Sequence, residues 1–229
     1  MPVALVLPAA GSGRRLGAEL PKALVEVAGV PIVRHTLARF AKLTEIVEVV
    51  AVAPPGMVPE FQEALVGVQL EAEEVRVVAG ADTRQASVRA GLESLVTEPE
   101  LVCVHDAARP LVSVETICAV IEAAGGSGAA SAAARPADSV REEAEDGSTR
   151  SLDRSRLWLV QTPQCFATDL LVQAHRHAKA TGTDATDDAQ LVEDCGTPVS
   201  LVESTDGNLK ITRPLDLKVL ELLLEDGSG

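Results

Sequence analysis

Short, unbroken apolar runs alternate along this chain with longer segments whose apolar residues recur every three or four positions. Runs at 3–7, 47–53, 75–79 and 101–105 read as strands, and the periodic segments at 31–40, 57–66, 86–95 and 114–124 as helices. A run that is apolar at every position is buried on both faces, as parallel strands covered by helices are. Strands separated by 10–15-residue helices define βαβ units. The expected fold class is therefore α/β: a Rossmann-like, mainly parallel sheet with helices on both faces. Right-handed crossovers then bring the carboxyl ends of the strands to one edge, where such folds bind ligands.

The rhythm changes after residue 125. The small-residue stretch GGSGAASAAARP predicts a turn leading into a strand. The charged stretch REEAEDGSTRSLDRSR reads as a solvated hairpin, a projecting β-arm at about 137–157. Helices are expected at 168–181, stopped by Gly182, and at 187–194, with a strand at 198–203 and a closing helix at 214–224. With no repeat and no long linker, residues 1–229 read as one domain carrying an arm.

Composition narrows the chemistry. Hydrophobic residues make up 46% but aromatics only 2%, with no tyrosine, so Val, Leu, Ala and Ile must build the core. The net charge of −14 argues against nucleic acid and anionic membranes as partners. Within residues 1–25, however, Arg14, Arg15 and Lys22 face Glu19 alone, a local positive patch that suits a small anionic substrate. Cys103, Cys118, Cys165 and Cys195 form no C-x-x-C pair and are expected as reduced, mostly buried thiols. The N-terminal run is too short for a signal peptide or membrane span, and the chain reads as cytoplasmic.

The basic patch adjoins a glycine loop, LPAAGSGRRLGAELPKAL, at 7–24. A dinucleotide fingerprint needs a third glycine where Leu16 stands and an acid after the second strand, where Ala53-Pro54-Pro55 has none. The G-x-x-x-x-G-K-[ST] phosphate loop is missing too. What remains is a phosphate cradle of another type, in which Gly11 and Gly13 admit an anion to backbone N–H groups while Arg15 and Lys22 supply charge, or a solvated basic turn. GADTRQAS (80–87) places Asp82 and Ser87 at the ligand edge, although Asp82 or Thr83 also suits a helix N-cap. VHDAARP (104–110) offers Asp106 as a Mg²⁺ contact or an ordinary Asx-turn. NLKITRP sets Lys210 in a strand-like segment. His175 and His177, two apart on a helix, cannot share a metal, and His35 reads as surface or core edge.

Taken together, PAAGSGRRLG, PKAL, GADTRQAS, VHDAARP, DRSRLWLVQTPQ, ATDDAQLVEDCG and NLKITRP, in order from residue 8 to 214, closely resemble the 2-C-methyl-D-erythritol 4-phosphate cytidylyltransferases. The resemblance implies transfer of CMP from CTP to methylerythritol phosphate, with Mg²⁺ and release of pyrophosphate, in non-mevalonate isoprenoid synthesis. It implies that Arg15, Lys22 and Lys210 stabilise charge on the α-phosphate and that Asp106 sits by the metal and triphosphate. Ala9, Ala10, Gly11, Gly80, Asp82 and Ser87 would hold the nucleoside. Arg109 and Asp138 would act on the acceptor side, and Arg154 and Thr186 would grip the acceptor phosphate across a homodimer interface formed by the arm. Two departures stand out: Gly80-Ala81 replaces a frequent double glycine, and Ser139 replaces a usual threonine.

Such chemistry needs no general base, because the acceptor phosphate is already an anionic nucleophile; positioning and charge neutralisation suffice. The competing readings are a ribitol 5-phosphate cytidylyltransferase, an NAD-dependent oxidoreductase and a non-catalytic nucleotide-binding regulator.

Overall fold

The computed structural model describes residues 1–10, 20–71, 75–204 and 207–225. Its elements begin with β1 (Val3–Pro8), the short strands β2 (Glu26–Val27) and β3 (Val30–Pro31), and α1 (Ile32–Ala38). There follow β4 (Ile46–Ala53), α2 (Val58–Leu65), β5 (Val75–Ala79), α3 (Arg84–Glu93), β6 (Leu101–Val104) and α4 (Val114–Ser127). The second half comprises β7 (Ala129–Ala134), β8 (Arg141–Glu143), β9 (Thr149–Ser151), β10 (Leu159–Ala167), α5 (Thr168–Thr181), α6 (Asp188–Asp194), β11 (Ser200–Glu203) and α7 (Pro214–Glu225).

Successive residues of the central strands enter two different cores, as their period of two requires. Val3, Leu5 and Leu7 of β1, with Val49 and Ala51 of β4 and Cys103 of β6, pack against α1, α2 and α4 through Val33, Leu37, Phe61 and Ile117. Ala4, Val6, Val50, Val52, Val102 and Val104 pack on the other face against Val88 of α3, Leu171 of α5 and Leu191 of α6. The continuous apolar runs thus reflect a sheet covered on both sides.

The seven strands are ordered β5-β4-β1-β6-β10-β7-β11, with β10 antiparallel to both of its neighbours and the remaining pairs parallel. The chain leaves β1 toward β4 and β5, then returns to β6 on the other side of β1. That reversal opens a crevice beyond the carboxyl ends of β1 and β6, where ligands of open α/β sheets bind.

Most expected elements appear within a few residues of their predicted limits. α3 starts two residues early because the Thr83 hydroxyl accepts from the Ala86 N–H and caps it. α4 runs through Gly125 and Gly126 to Ser127, where Gly128, at φ 83°, ends it. Gly182, at φ 71°, stops α5 as expected. The charged stretch forms the exposed hairpin β8–β9. Three corrections are needed. β10 was not visible in the pattern: its pairing with β7 shifts register between Val160 and Gln164, and Pro163 interrupts the run. Lys210 lies in a loop: the Asn208 side chain, not its backbone, bonds to β10, and the Ile211 N–H donates to the Ala108 carbonyl, so no ladder forms. Of the cysteines, Cys103 and Cys165 are buried, but Cys118 and Cys195 are exposed.

Candidate active site

At the crevice lies a cavity of ≈ 420 Å³. The end of β1 supplies Pro8, Ala9 and Ala10, and the 3-10 turn Lys22–Leu24 contributes Lys22 and Ala23. The turn into α3 adds residues 81–84 and Ser87, the segment after β6 adds Asp106–Ala108, and the loop after β11 adds Lys210. Lys22, Arg84 and Lys210 outnumber Asp82 and Asp106, leaving the described lining one net positive charge in a strongly acidic protein. Local cations with low-dielectric walls focus potential on a small anion.

Local bonding explains why these side chains converge. The N–H of Ala9 donates to the Val52 carbonyl at 2.9 Å, holding the β1 exit against β4. Buried Ser87 accepts from the Ala81 N–H at 3.1 Å and donates to the Thr83 carbonyl at 2.8 Å, folding residues 81–83 over the start of α3. Only glycine fits behind that turn: a Cβ on Gly80 would lie 2.7 Å from Ser87 Oγ and 3.0 Å from the Ala53 carbonyl oxygen. Ala81, by contrast, needs no positive φ, so its methyl group is accommodated.

Asp106 is the electrostatic hub. Its Oδ2 lies 2.6 Å from Lys210 Nζ, and Oδ1 accepts from Arg84 Nε at 3.1 Å. Burial alone would raise its pKa, but Arg84, Lys210 and Arg109 outweigh that and hold the carboxyl well below the usual range. Arg84 donates through Nη1 to Asp188 Oδ2 at 2.7 Å, and Asp188 Oδ1 lies 3.0 Å from His175 Nε2. Behind Asp106, burial lowers the His105 pKa to about 4, so that ring is neutral at pH 7. His105 Nε2 then donates to the Arg109 carbonyl at 3.1 Å. Thr162 Oγ1, 3.2 Å from Nδ1, accepts the Asp106 N–H at 3.0 Å. Asn208 donates to Gln161 Oε1 at 2.8 Å and to the Thr162 carbonyl at 2.9 Å, pinning the loop that carries Lys210.

Of the residues singled out from sequence, Ala9, Ala10, Lys22, Asp82, Ser87, Asp106 and Lys210 line this cavity. Gly80 supports it from behind. Arg109 does not line it: the side chain is buried and donates through Nη1 to the Asn208 carbonyl at 2.7 Å. Exposed Arg154 donates to the Ala137 carbonyl, beside exposed Asp138, at the base of the arm. Thr186 is exposed elsewhere, its N–H and hydroxyl donating to Gln190 Oε1. Gly11, Gly13, Arg14 and Arg15 lie outside the described residues. The sequence reading missed Arg84, although its place in GADTRQAS beside Asp82 was a signal. It also undervalued His175, which is buried against Asp188 while His177 is exposed.

A doubly wound sheet with a cation-lined crevice at its switch point defines a Rossmann-like protein built to take an anionic ligand. The crystal structure of 2-C-methyl-D-erythritol 4-phosphate cytidylyltransferase from Thermus thermophilus shares the fold, with a TM-score of 0.82 and 39% identity, covering 98% of this chain and 100% of that one. The 4-diphosphocytidyl-2C-methyl-D-erythritol synthase of Anaerococcus prevotii matches with a TM-score of 0.86 at 28% identity, covering 98% and 96%. The 2-C-methyl-D-erythritol 4-phosphate cytidylyltransferase of Symbiobacterium thermophilum is 42% identical over 99% of this chain and 94% of its own length. The family model IspD, 2-C-methyl-D-erythritol 4-phosphate cytidylyltransferase, matches residues 3–226. The chain belongs to that family.

Proposed function

We propose that this enzyme transfers CMP from CTP to 2-C-methyl-D-erythritol 4-phosphate, releasing pyrophosphate. The observation that carries the reading is the convergence of Lys22 and Lys210, from opposite ends of the chain, on one cavity that also holds Asp106. An oxygen of the acceptor phosphate attacks the α-phosphorus of CTP. A new P–O bond forms while the bond to the bridging oxygen breaks, and pyrophosphate leaves in line. Arg15, Lys22 and Lys210 neutralise the charge that grows on the α-phosphate and the leaving group. Ala9, Ala10, Gly11, Asp82 and Ser87 hold cytosine and ribose, with Gly80 behind them letting Ser87 close the turn. Arg109, Asp138, Arg154 and Thr186 serve the acceptor side. No side chain need act as nucleophile or base.

The donor set also fits Mg²⁺. Among the described residues no three His, Cys, Asp or Glu side chains cluster to hold a metal. Mg²⁺ commonly relies on one or two carboxylates together with substrate phosphates, and Asp106 at the cavity wall would supply one, its two oxygens here held by Lys210 and Arg84. Bound there, the ion would supply charge to the triphosphate.

The functional unit is a homodimer of single-domain chains (1–229) joined through the 137–157 arm. Support comes from exposed Leu159, Val160 and Leu201, on the two strands flanking β7, and from Arg135 stacked 3.5 Å over the Trp158 ring near the base of the arm. Sedimentation equilibrium is expected to give twice the 23.9 kDa chain mass, and a single-chain mass would contradict the dimer. No described helix is long and apolar enough to cross a membrane, and a cytoplasmic location is proposed.

The NAD reading lacks its ribose acid, since β4 ends at Ala53 and runs into Pro54 and Pro55. Acceptor identity is tested by pyrophosphate release from CTP and Mg²⁺ with methylerythritol 4-phosphate or ribitol 5-phosphate.

A further inference from the structure

The loop joining α5 to α6 carries Thr186, yet almost nothing on its own elements fixes it to the nucleotide cavity. Gln190 of α6 holds Thr186 itself, and the ties that lead toward the cavity come from the first turn of α3. The side-chain amide of Gln85, half-buried, donates through Nε2 to the Thr183 carbonyl at 3.1 Å and accepts the Ala185 N–H through Oε1 at 3.0 Å. The amide therefore uses its donor and its acceptor on one short stretch of distant backbone. The adjacent Arg84 holds the other end of that loop through Asp188, while its Nε reaches Asp106 in the cavity. Gln164 Oε1 completes the anchorage by accepting the N–H groups of Asp188 and Ala189, each at 3.2 Å. Thr83, Arg84 and Ser87 line the cavity; Gln85 does not. One helical turn thus touches the nucleotide site with some residues and clamps the Thr186 loop with its neighbours.

We infer that Gln85 is a positioning residue for the acceptor phosphate, its amide clamping the 183–185 backbone so that Thr186 is held in one place to meet that phosphate. The inference rests on the reading that Thr186 grips that phosphate. In-line attack tolerates little misplacement, so a clamp several bonds from the reacting atoms matters. Gln85 touches neither substrate, and its effect passes through the loop.

Steady-state kinetics of Gln85→Ala, Thr186→Ala and the double variant test this, with CTP and methylerythritol 4-phosphate varied separately. The expected result for Gln85→Ala is an acceptor KM raised about tenfold, the scale of a lost hydrogen-bonding pair, with the CTP KM within about twofold of the parent. The double variant is expected to be no worse than Thr186→Ala, because two residues acting through one contact are not additive. A purely structural Gln85 would instead lower the melting temperature and move both KM values together, which overturns the proposal. Multiplying effects in the double variant, or an unchanged acceptor KM in Gln85→Ala alone, also overturn it while leaving the Thr186 reading standing. If Thr186→Ala leaves the acceptor KM unchanged, the grip itself is refuted and the role of Gln85 falls with it.

Discussion

Lys22→Ala is expected to lower turnover about 10²–10³-fold while leaving the fold intact, a loss of about 2.7–4 kcal/mol of transition-state stabilisation. The turn that carries Lys22 is anchored by its neighbour: Ala23 is buried, and the Leu24 N–H donates to the Pro21 carbonyl at 2.9 Å. Truncating the half-buried Lys22 side chain removes little packing from the core. On the proposed mechanism, what disappears is a full positive charge at the cavity where phosphoryl transfer takes place and where charge increases only as the pyrophosphate departs. The deficit therefore belongs to kcat more than to KM. Single-turnover kinetics on a variant with an unchanged melting temperature checks this; near-parental turnover contradicts the role.

Asp188→Ala is expected to have the largest effect on stability. Asp188 is fully buried, with Arg84 on one oxygen and His175 on the other, so its removal leaves Arg84 with Asp106 as its remaining carboxylate and leaves a buried histidine unpartnered. Breaking a buried ion pair from one side costs about 3–5 kcal/mol, on the order of 10 °C in melting temperature for a chain of this size. The effect depends on pH with a definite sign. Burial opposes the charged form of Asp188, but Arg84 and the His175 hydrogen bond outweigh it, and the folded-state pKa lies below its ordinary value of 3.8. Below about pH 5 the unfolded chain binds the proton first. The carboxylate's contribution is thus complete at neutral pH and fades as pH falls through 3.8 toward the lowered folded value. Chemical denaturation from about pH 7 to about pH 3 should show the gap between parent and variant narrowing with acid. A difference below about 1 kcal/mol at neutral pH would refute the assignment.

The sequence disclosed what depends on local periodicity. β1, β4, β5 and β6 were legible because both faces of a central strand are apolar, and α5 because its stripe ends on Gly182. Asp82 and Asp106 were legible because each stands just beyond the carboxyl end of a strand, Ser87 because it follows Asp82 into the next helix, and Lys22 because it belongs to a basic patch beside the glycine loop. β10 was hidden because Gln161, Thr162 and Gln164 serve the loops around Asp106, Asn208 and α6 rather than a core. Lys210 looked strand-borne because Leu209 and Ile211 alternate with polar neighbours. In the fold Ile211 instead anchors a loop against Ile32 and Leu220. The Arg84–Asp188 pair joins residues 104 positions apart, and no local pattern announces a contact between the first residues of α3 and α6.

The most direct test of cytidylyl transfer is pyrophosphate release by the purified protein from CTP and Mg²⁺, with methylerythritol 4-phosphate and ribitol 5-phosphate in parallel. Stoichiometric release is predicted with methylerythritol 4-phosphate alone, and none without an acceptor. Release with ribitol 5-phosphate alone would keep the cavity and its cations but contradict the acceptor, and silence from folded protein with both would contradict cytidylyl transfer itself.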